Sequence, residues 1–77
     1  MIKNTVKIEG MMCGMCEAHI AGTIRNAFPQ ARKVSVSRRK CEAVFLTENA
    51  ADPELLKNAI ESTGYHFMSC SFEQYGK

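Results

Sequence analysis

The sequence has no run of about 18 apolar residues, the length a membrane-crossing helix needs, so nothing in it reads as a span. Its first ten residues, MIKNTVKIEG, lack the apolar stretch of a secretory leader. Charge of one sign is scarce as well. Ten Lys and Arg against eight Asp and Glu leave a net +2, too mild to imply a nucleic-acid partner. No low-complexity segment or linker interrupts the chain. With 77 residues there is room for one domain and none for a second lobe. A deep cleft between lobes is therefore excluded, which weighs against an enzyme and for a binding module. A core of this size is workable, since domains of about 55–65 residues fold alone. The expected setting is cytoplasmic, where thiols stay reduced. Cys13, Cys16, Cys41 and Cys70 then suggest metal binding or redox chemistry rather than a disulfide framework.

What is present is strongly patterned. Ile2, Val6 and Ile8 alternate with Lys3, Thr5 and Lys7, the period of a half-buried strand, although Asn4 falls on the inward face and weakens its start. Gly10-Met11-Met12-Cys13-Gly14-Met15 reads as a loop. A helical pattern opens near Cys16. Ile20, Ile24 and Phe28 follow at four-residue intervals with Ala27 beside them, and Cys16 stands one turn earlier on the same stripe. Pro29 stops this helix.

Val34 and Val36 alternate with Lys33, Ser35 and Ser37 in a second strand, and Arg38, Arg39 and Lys40 suit an exposed turn. A third strand spans about residues 41–47, with Ala43 and Phe45 favoured over Val44 and Leu46 as its inward face. Asp52-Pro53-Glu54 is a well-formed helix start: a cap, a proline at the first helical position and an acid at the positive end of the dipole. Leu55, Leu56, Ala59 and Ile60 supply the apolar stripe, and Gly64 fits a left-handed C-terminal cap. A last strand spans about 65–72, and residues 73–77 are expected to be loose. The order β-α-β-β-α-β predicts a ferredoxin-like α+β sandwich, a four-stranded antiparallel sheet with two helices on one face.

The chemistry concentrates at Cys13-Gly14-Met15-Cys16, between strand and helix. Two intervening residues let both sulfurs turn toward one point, and thiolates are soft donors that select Cu(I), Zn or iron–sulfur clusters. Cys16 falls in the first helical turn, where the dipole favours the thiolate. Cys13 falls in the loop and is expected to be the more exposed sulfur. One ligand is then held by the fold while the other is free to swing to a partner. No carboxylate immediately precedes Cys13. Zn(II) usually completes a four-coordinate shell, whereas Cu(I) tolerates two thiolates, which tilts the reading to Cu(I), with Zn(II) or another soft heavy metal as the alternative.

Met11 is read as a core plug rather than a ligand. Met12 and Met15 are either docking contacts or exposed loop residues. Glu17 and His19 follow closely enough on the helix to turn in, but His19 is read as a solvated helix residue and His66 as an edge contact to a partner. Cys41 and Cys70 are read as lone residues in strands that are not neighbours, so no disulfide between them is expected. The basic cluster Arg32, Lys33, Arg38, Arg39 and Lys40 is read as a solvated hairpin.

Gly10-Met11-Met12-Cys13-Gly14-Met15-Cys16 resembles the G-M-x-C-x-x-C signature of the heavy-metal-associated domain, a family that includes copper chaperones and N-terminal domains of copper-exporting P-type ATPases. Gly64-Tyr65 resembles the family's G-Y at the loop facing the metal. The resemblance covers roughly residues 3–70, with a C-terminal tail running past the usual end. It implies that Cys13 and Cys16 bind metal, that Met11 packs under the metal loop and that Tyr65 lies near the site. Met12 departs from the family's usual Thr or Ser; the ligands are intact, and only the loop's contacts differ.

The function expected is capture of Cu(I) and delivery by ligand exchange to a copper-transporting P-type ATPase or another metal-handling protein, with a metal-bridged homodimer as a further possibility. The chief rival is a thiol–disulfide redox protein. That fold is normally longer and sets a cis-proline opposite its Cys pair, whereas Pro29 and Pro53 are both accounted for by helix ends. A metal-sensor domain excised from a larger protein is the third reading.

Overall fold

A computed structural model describes residues 1–10 and 14–75, the side chain of Met15 aside. The alternating start forms β1 (Ile2–Glu9), followed by α1 (Gly14–Ala27), β2 (Arg32–Ser37), β3 (Glu42–Thr47), α2 (Pro53–Glu61) and β4 (His66–Gln74). All pairings are antiparallel, in the order β2-β3-β1-β4. The helices pack on each other and on the sheet, α1 toward β2 and α2 toward β4. This is the predicted ferredoxin-like sandwich.

The core forms where the stripes meet. Ile20 and Ile24 of α1 and Leu56 and Ile60 of α2 bury against Val6, Ile8, Ala43 and Phe45 of the sheet. Phe28, just past α1, lays its ring on Phe45 with centroids 5.5 Å apart. Each such apolar side chain contributes about 1.5–3 kcal/mol when fully buried. Ala43 and Phe45 are fully buried as predicted. Their rival Leu46 is buried too, but it shares a surface hollow with Lys3, Lys33, Val44 and Tyr75. Period two with apolar residues at four successive positions is thus explained by cover on both sides of β3.

Asn4 is fully buried and does more than interrupt a pattern. Its Nδ2 donates to the Phe45 carbonyl at 3.1 Å and to Thr47 Oγ1 at 2.9 Å, while its Oδ1 accepts from the Ala51 N–H at 3.0 Å. One amide therefore ties β1 to β3 and to the approach to α2. There Asp52 caps the helix, its Oδ1 accepting from the Glu54 N–H at 3.0 Å, with Pro53 first in the helix. Gly64 takes φ +96°, the left-handed conformation expected of it.

Four expectations need correction. β4 does not end at Phe72 with a loose tail from residue 73. It runs on through Glu73 and Gln74 because Lys3 and Ile2 of β1 pair with them, and the Tyr75 N–H then reaches the Met1 carbonyl at 3.0 Å. Gly76 and Lys77 lie outside the described residues. Cys41 is not in β3. It closes the turn before it at φ +56°, donating its N–H to the Arg38 carbonyl at 3.3 Å. Leu55 is exposed, because Leu56 and Ile60 alone take the buried stripe of α2. The basic residues are not one cluster, since Arg32 and Lys33 stand at the opposite end of β2 from Arg38–Lys40, with Lys33 over the Tyr75 ring. Among the described residues no helix is long and apolar enough to cross a membrane.

Candidate metal centre

Chain direction decides what gathers at each end of the sheet. β1 ends at Glu9, α1 begins at Gly14, the β2–β3 turn lies between Ser37 and Glu42, and the α2–β4 connection runs from Glu61 to His66. All four meet at one end, called here the loop end. Cys16 is the third residue of α1, so it lies in the first turn as the pattern predicted. Its side chain is half-buried and packs against the apolar core, one turn before fully buried Ile20. Met11, Met12 and Cys13 lie outside the described residues, as does the side chain of Met15.

Tyr65 stands between Gly10 and α1. A Cβ on Gly10 would come 3.5 Å from its ring, and Gly10 holds φ +107°, a conformation that suits glycine alone. On the other side the Tyr65 ring meets His19 edge-on, with centroids 5.9 Å apart and planes at 83°. Edge-to-face pairs of this kind contribute about 0.5–1.5 kcal/mol beyond simple burial. His19 is exposed, as expected, yet it is not merely solvated, because its ring is engaged by Tyr65. His66 is exposed.

Glu17, the residue after Cys16, turns to the β2–β3 turn. Its Oε2 accepts the Arg38 N–H at 2.8 Å, joining the start of α1 to the β2–β3 turn. Sequence reasoning missed this link, although an acid in a first helical turn facing a turn with unsatisfied N–H groups is a recognisable signal. Cys41, in the β2–β3 turn, and Cys70, on β4, are free thiols, and among the described residues neither joins a metal-holding group with Cys16. Among the described residues no three His, Cys, Asp or Glu side chains gather to hold a metal ion. What the arrangement offers chemically is one soft donor packed on the core in the first turn of a helix, three residues after Cys13 in sequence.

No known protein-family profile matches the chain. A mercuric reductase of Bacillus cereus is 38% identical over 66 residues, which cover 86% of this chain and 10% of that protein. Two solved structures share the fold. The CopZ metallochaperone is 21% identical with a TM-score of 0.74, over 86% of this chain and 98% of that one. The yeast copper transporter domain Ccc2a, solved in the apo and Cu(I) loaded states, is 22% identical with a TM-score of 0.74, over 96% of this chain and 97% of that one.

Proposed function

The chain is a heavy-metal-associated domain in fold and motif, and on that premise we propose that it binds one Cu(I) between Cys13 and Cys16 and passes it to a partner by ligand exchange. The observation that carries this reading is the seat of Cys16: a half-buried thiol in the first turn of α1, packed on the core, three residues after Cys13 in sequence. A sulfur so placed holds its position while the loop sulfur exchanges. In the exchange step a partner thiolate adds to the ion as one thiolate of this chain leaves. No electron moves, the incoming thiol gives its proton to solvent and the departing thiolate takes one back.

Softness and ligand count favour Cu(I) over Zn(II). Glu17 and His19, the groups after Cys16 in sequence able to fill a tetrahedral shell, are engaged elsewhere by the Arg38 N–H and the Tyr65 ring. Met11, Met12, Met15 and Tyr65 are proposed to support the loop rather than to ligate. The recipient proposed is a copper-transporting P-type ATPase or another metal-handling protein, met in a cytoplasm that keeps both thiols reduced. The chain acts as a carrier and not as an enzyme.

A second reading is carriage of the mercuric ion. It is favoured by the identity to a mercuric reductase, of which this chain spans only 10%, so that protein's reductase chemistry is not carried over. Mercury is as content as Cu(I) with two thiolates. The deciding experiment is native mass spectrometry of the reduced protein with buffered Cu(I), Zn(II) and Hg(II) in competition. One Cu(I) per chain, displaced by neither rival at comparable free levels, is the expected outcome. Preferential retention of Hg(II) establishes the second reading, and retention of Zn(II) overturns both.

A further inference from the structure

The face of the sheet turned away from the helices holds a buried leucine. Lys3 stands opposite Leu46 and Thr5 opposite Val44, while the alternate residues Asn4, Ala43 and Phe45 are buried on the helix side. Successive side chains of a strand point to opposite faces, so Leu46 and Val44 lie on the open face. Leu46 is nevertheless only 5% exposed, and Val44 is half-buried. Their cover is Lys3, Lys33 and Tyr75, which complete with them a hollow of about 150 Å³.

That cover comes from both edges of the sheet. Tyr75 follows β4, and Lys33 belongs to β2, the opposite edge strand. Neighbouring strands lie about 4.8 Å apart, so β4 and β2 are separated by roughly 14 Å. The span is met from two sides. The Tyr75 N–H is held by the Met1 carbonyl at the head of β1, and Lys33 Nζ lies 5.8 Å from the centre of the Tyr75 ring. Lys33 also marks the weak stretch of β2. It takes φ +53° where the pairing with β3 jumps from Arg32 to Ser35. A bulge of this kind interrupts the ladder and re-aims a side chain.

We propose that the Tyr75 side chain is a clasp: from one edge of the sheet it holds the opposite edge, β2, in place and keeps the Val44–Leu46 hollow closed. If the start of β2 lifts, the contact of Lys33 with the ring is lost and the cover of Leu46 opens to water. The β1–β4 ladder does not need the ring, because Ile2 pairs with Gln74 and the bond to Met1 uses the Tyr75 main chain. The tyrosine therefore stabilises a strand with which its own strand does not pair. This holds whatever metal the loop end carries.

The test is amide hydrogen exchange by NMR on the full-length, metal-free protein, comparing the wild type with Tyr75→Phe, Tyr75→Ala and Lys33→Ala. In the wild type the ring should shift the Leu46 methyl protons upfield. Tyr75→Ala should abolish that shift and lower the protection of the β2 amides about tenfold, the scale of one lost cation–π contact plus opened apolar surface. The β1–β4 amides should stay as protected as in the wild type, and fluorescence of anilinonaphthalene sulfonate should rise as the hollow opens. Tyr75→Phe should match the wild type. Lys33→Ala should lower β2 protection while keeping the Leu46 shift, and it decides the matter should Tyr75→Ala fail to fold. Unchanged β2 protection in Tyr75→Ala or Lys33→Ala would overturn the clasp. So would an equal loss across all four strands, which is general destabilisation, or a Tyr75→Phe protein that behaves as Tyr75→Ala does.

Discussion

The two ends of the sheet are built on opposite terms. At the far end polar groups close on one another. Asn4 binds β3 and the Ala51 N–H, Thr47 Oγ1 donates to the Asn49 carbonyl, Asp52 caps α2, and Tyr75 returns to Met1. The loop end instead carries a half-buried thiol, an edge-on aromatic pair and three exposed cations without an ion pair among the described residues. A fully satisfied buried network rigidifies and specifies a core. With register and helix placement fixed at one end, the other end keeps reactive groups exposed without loosening the fold.

That division can be broken by mutation. The largest effect should come from the loop end. Cys13→Ser or Cys16→Ser should each abolish tight Cu(I) binding in competition with a chromophoric chelator, while Cys41→Ser and Cys70→Ser should bind as the wild type does. A loss at Cys41 or Cys70 equal to that at Cys16 would show that the ligands are misassigned. Asn4→Ala should cost about 2–4 kcal/mol in urea unfolding, since it removes packing and strands buried polar partners. Its folded form should keep wild-type Cu(I) affinity, and weakened binding there would show that the two ends are coupled.

Smaller effects sharpen the comparison. Asp52→Ala should cost about 1 kcal/mol in the same assay through loss of the α2 cap. His19→Ala should cost about 0.5–1 kcal/mol through loss of the Tyr65 edge contact, with Cu(I) still raising the melting temperature more than Zn(II). Stronger stabilisation by Zn(II) that vanished in His19→Ala would make this a zinc-handling domain. Leu55→Glu, exposed on α2, should change stability by no more than about 0.5 kcal/mol.

The fold was largely legible because its signals are local. Period two named β1, the four-residue spacing of Ile20, Ile24 and Phe28 named α1, and Asp52-Pro53 marked the start of α2. What escaped depends on pairing across long stretches of chain. The extension of β4 to Gln74 exists because Ile2 and Lys3 lie opposite, which nothing in the composition of residues 73–77 announces. Cys41 left its predicted strand because the turn needed one residue at positive φ, and no glycine marked the place. Asn4 read as a flaw because its distant partners come from residues 45, 47 and 51. At the site, the spacing placed Cys16 in the first turn of α1, but the Glu17–Arg38 and His19–Tyr65 contacts depend on how the β2–β3 turn and the α2–β4 connection fold back.

The interior pair of strands, β1 and β3, runs in unbroken register from Ile2 and Thr47 to Lys7 and Glu42. Both outer strands slip. On β4 the pairing skips Met68, and on β2 an additional residue is accommodated between Arg32 and Ser35, with Lys33 at φ +53°. A bulge bends and twists a strand, so neither rim offers the flat row of donors and acceptors on which a stray chain could template itself. The sheet cannot readily be lengthened by another molecule, which guards the protein against the edge-to-edge aggregation that open sheets invite.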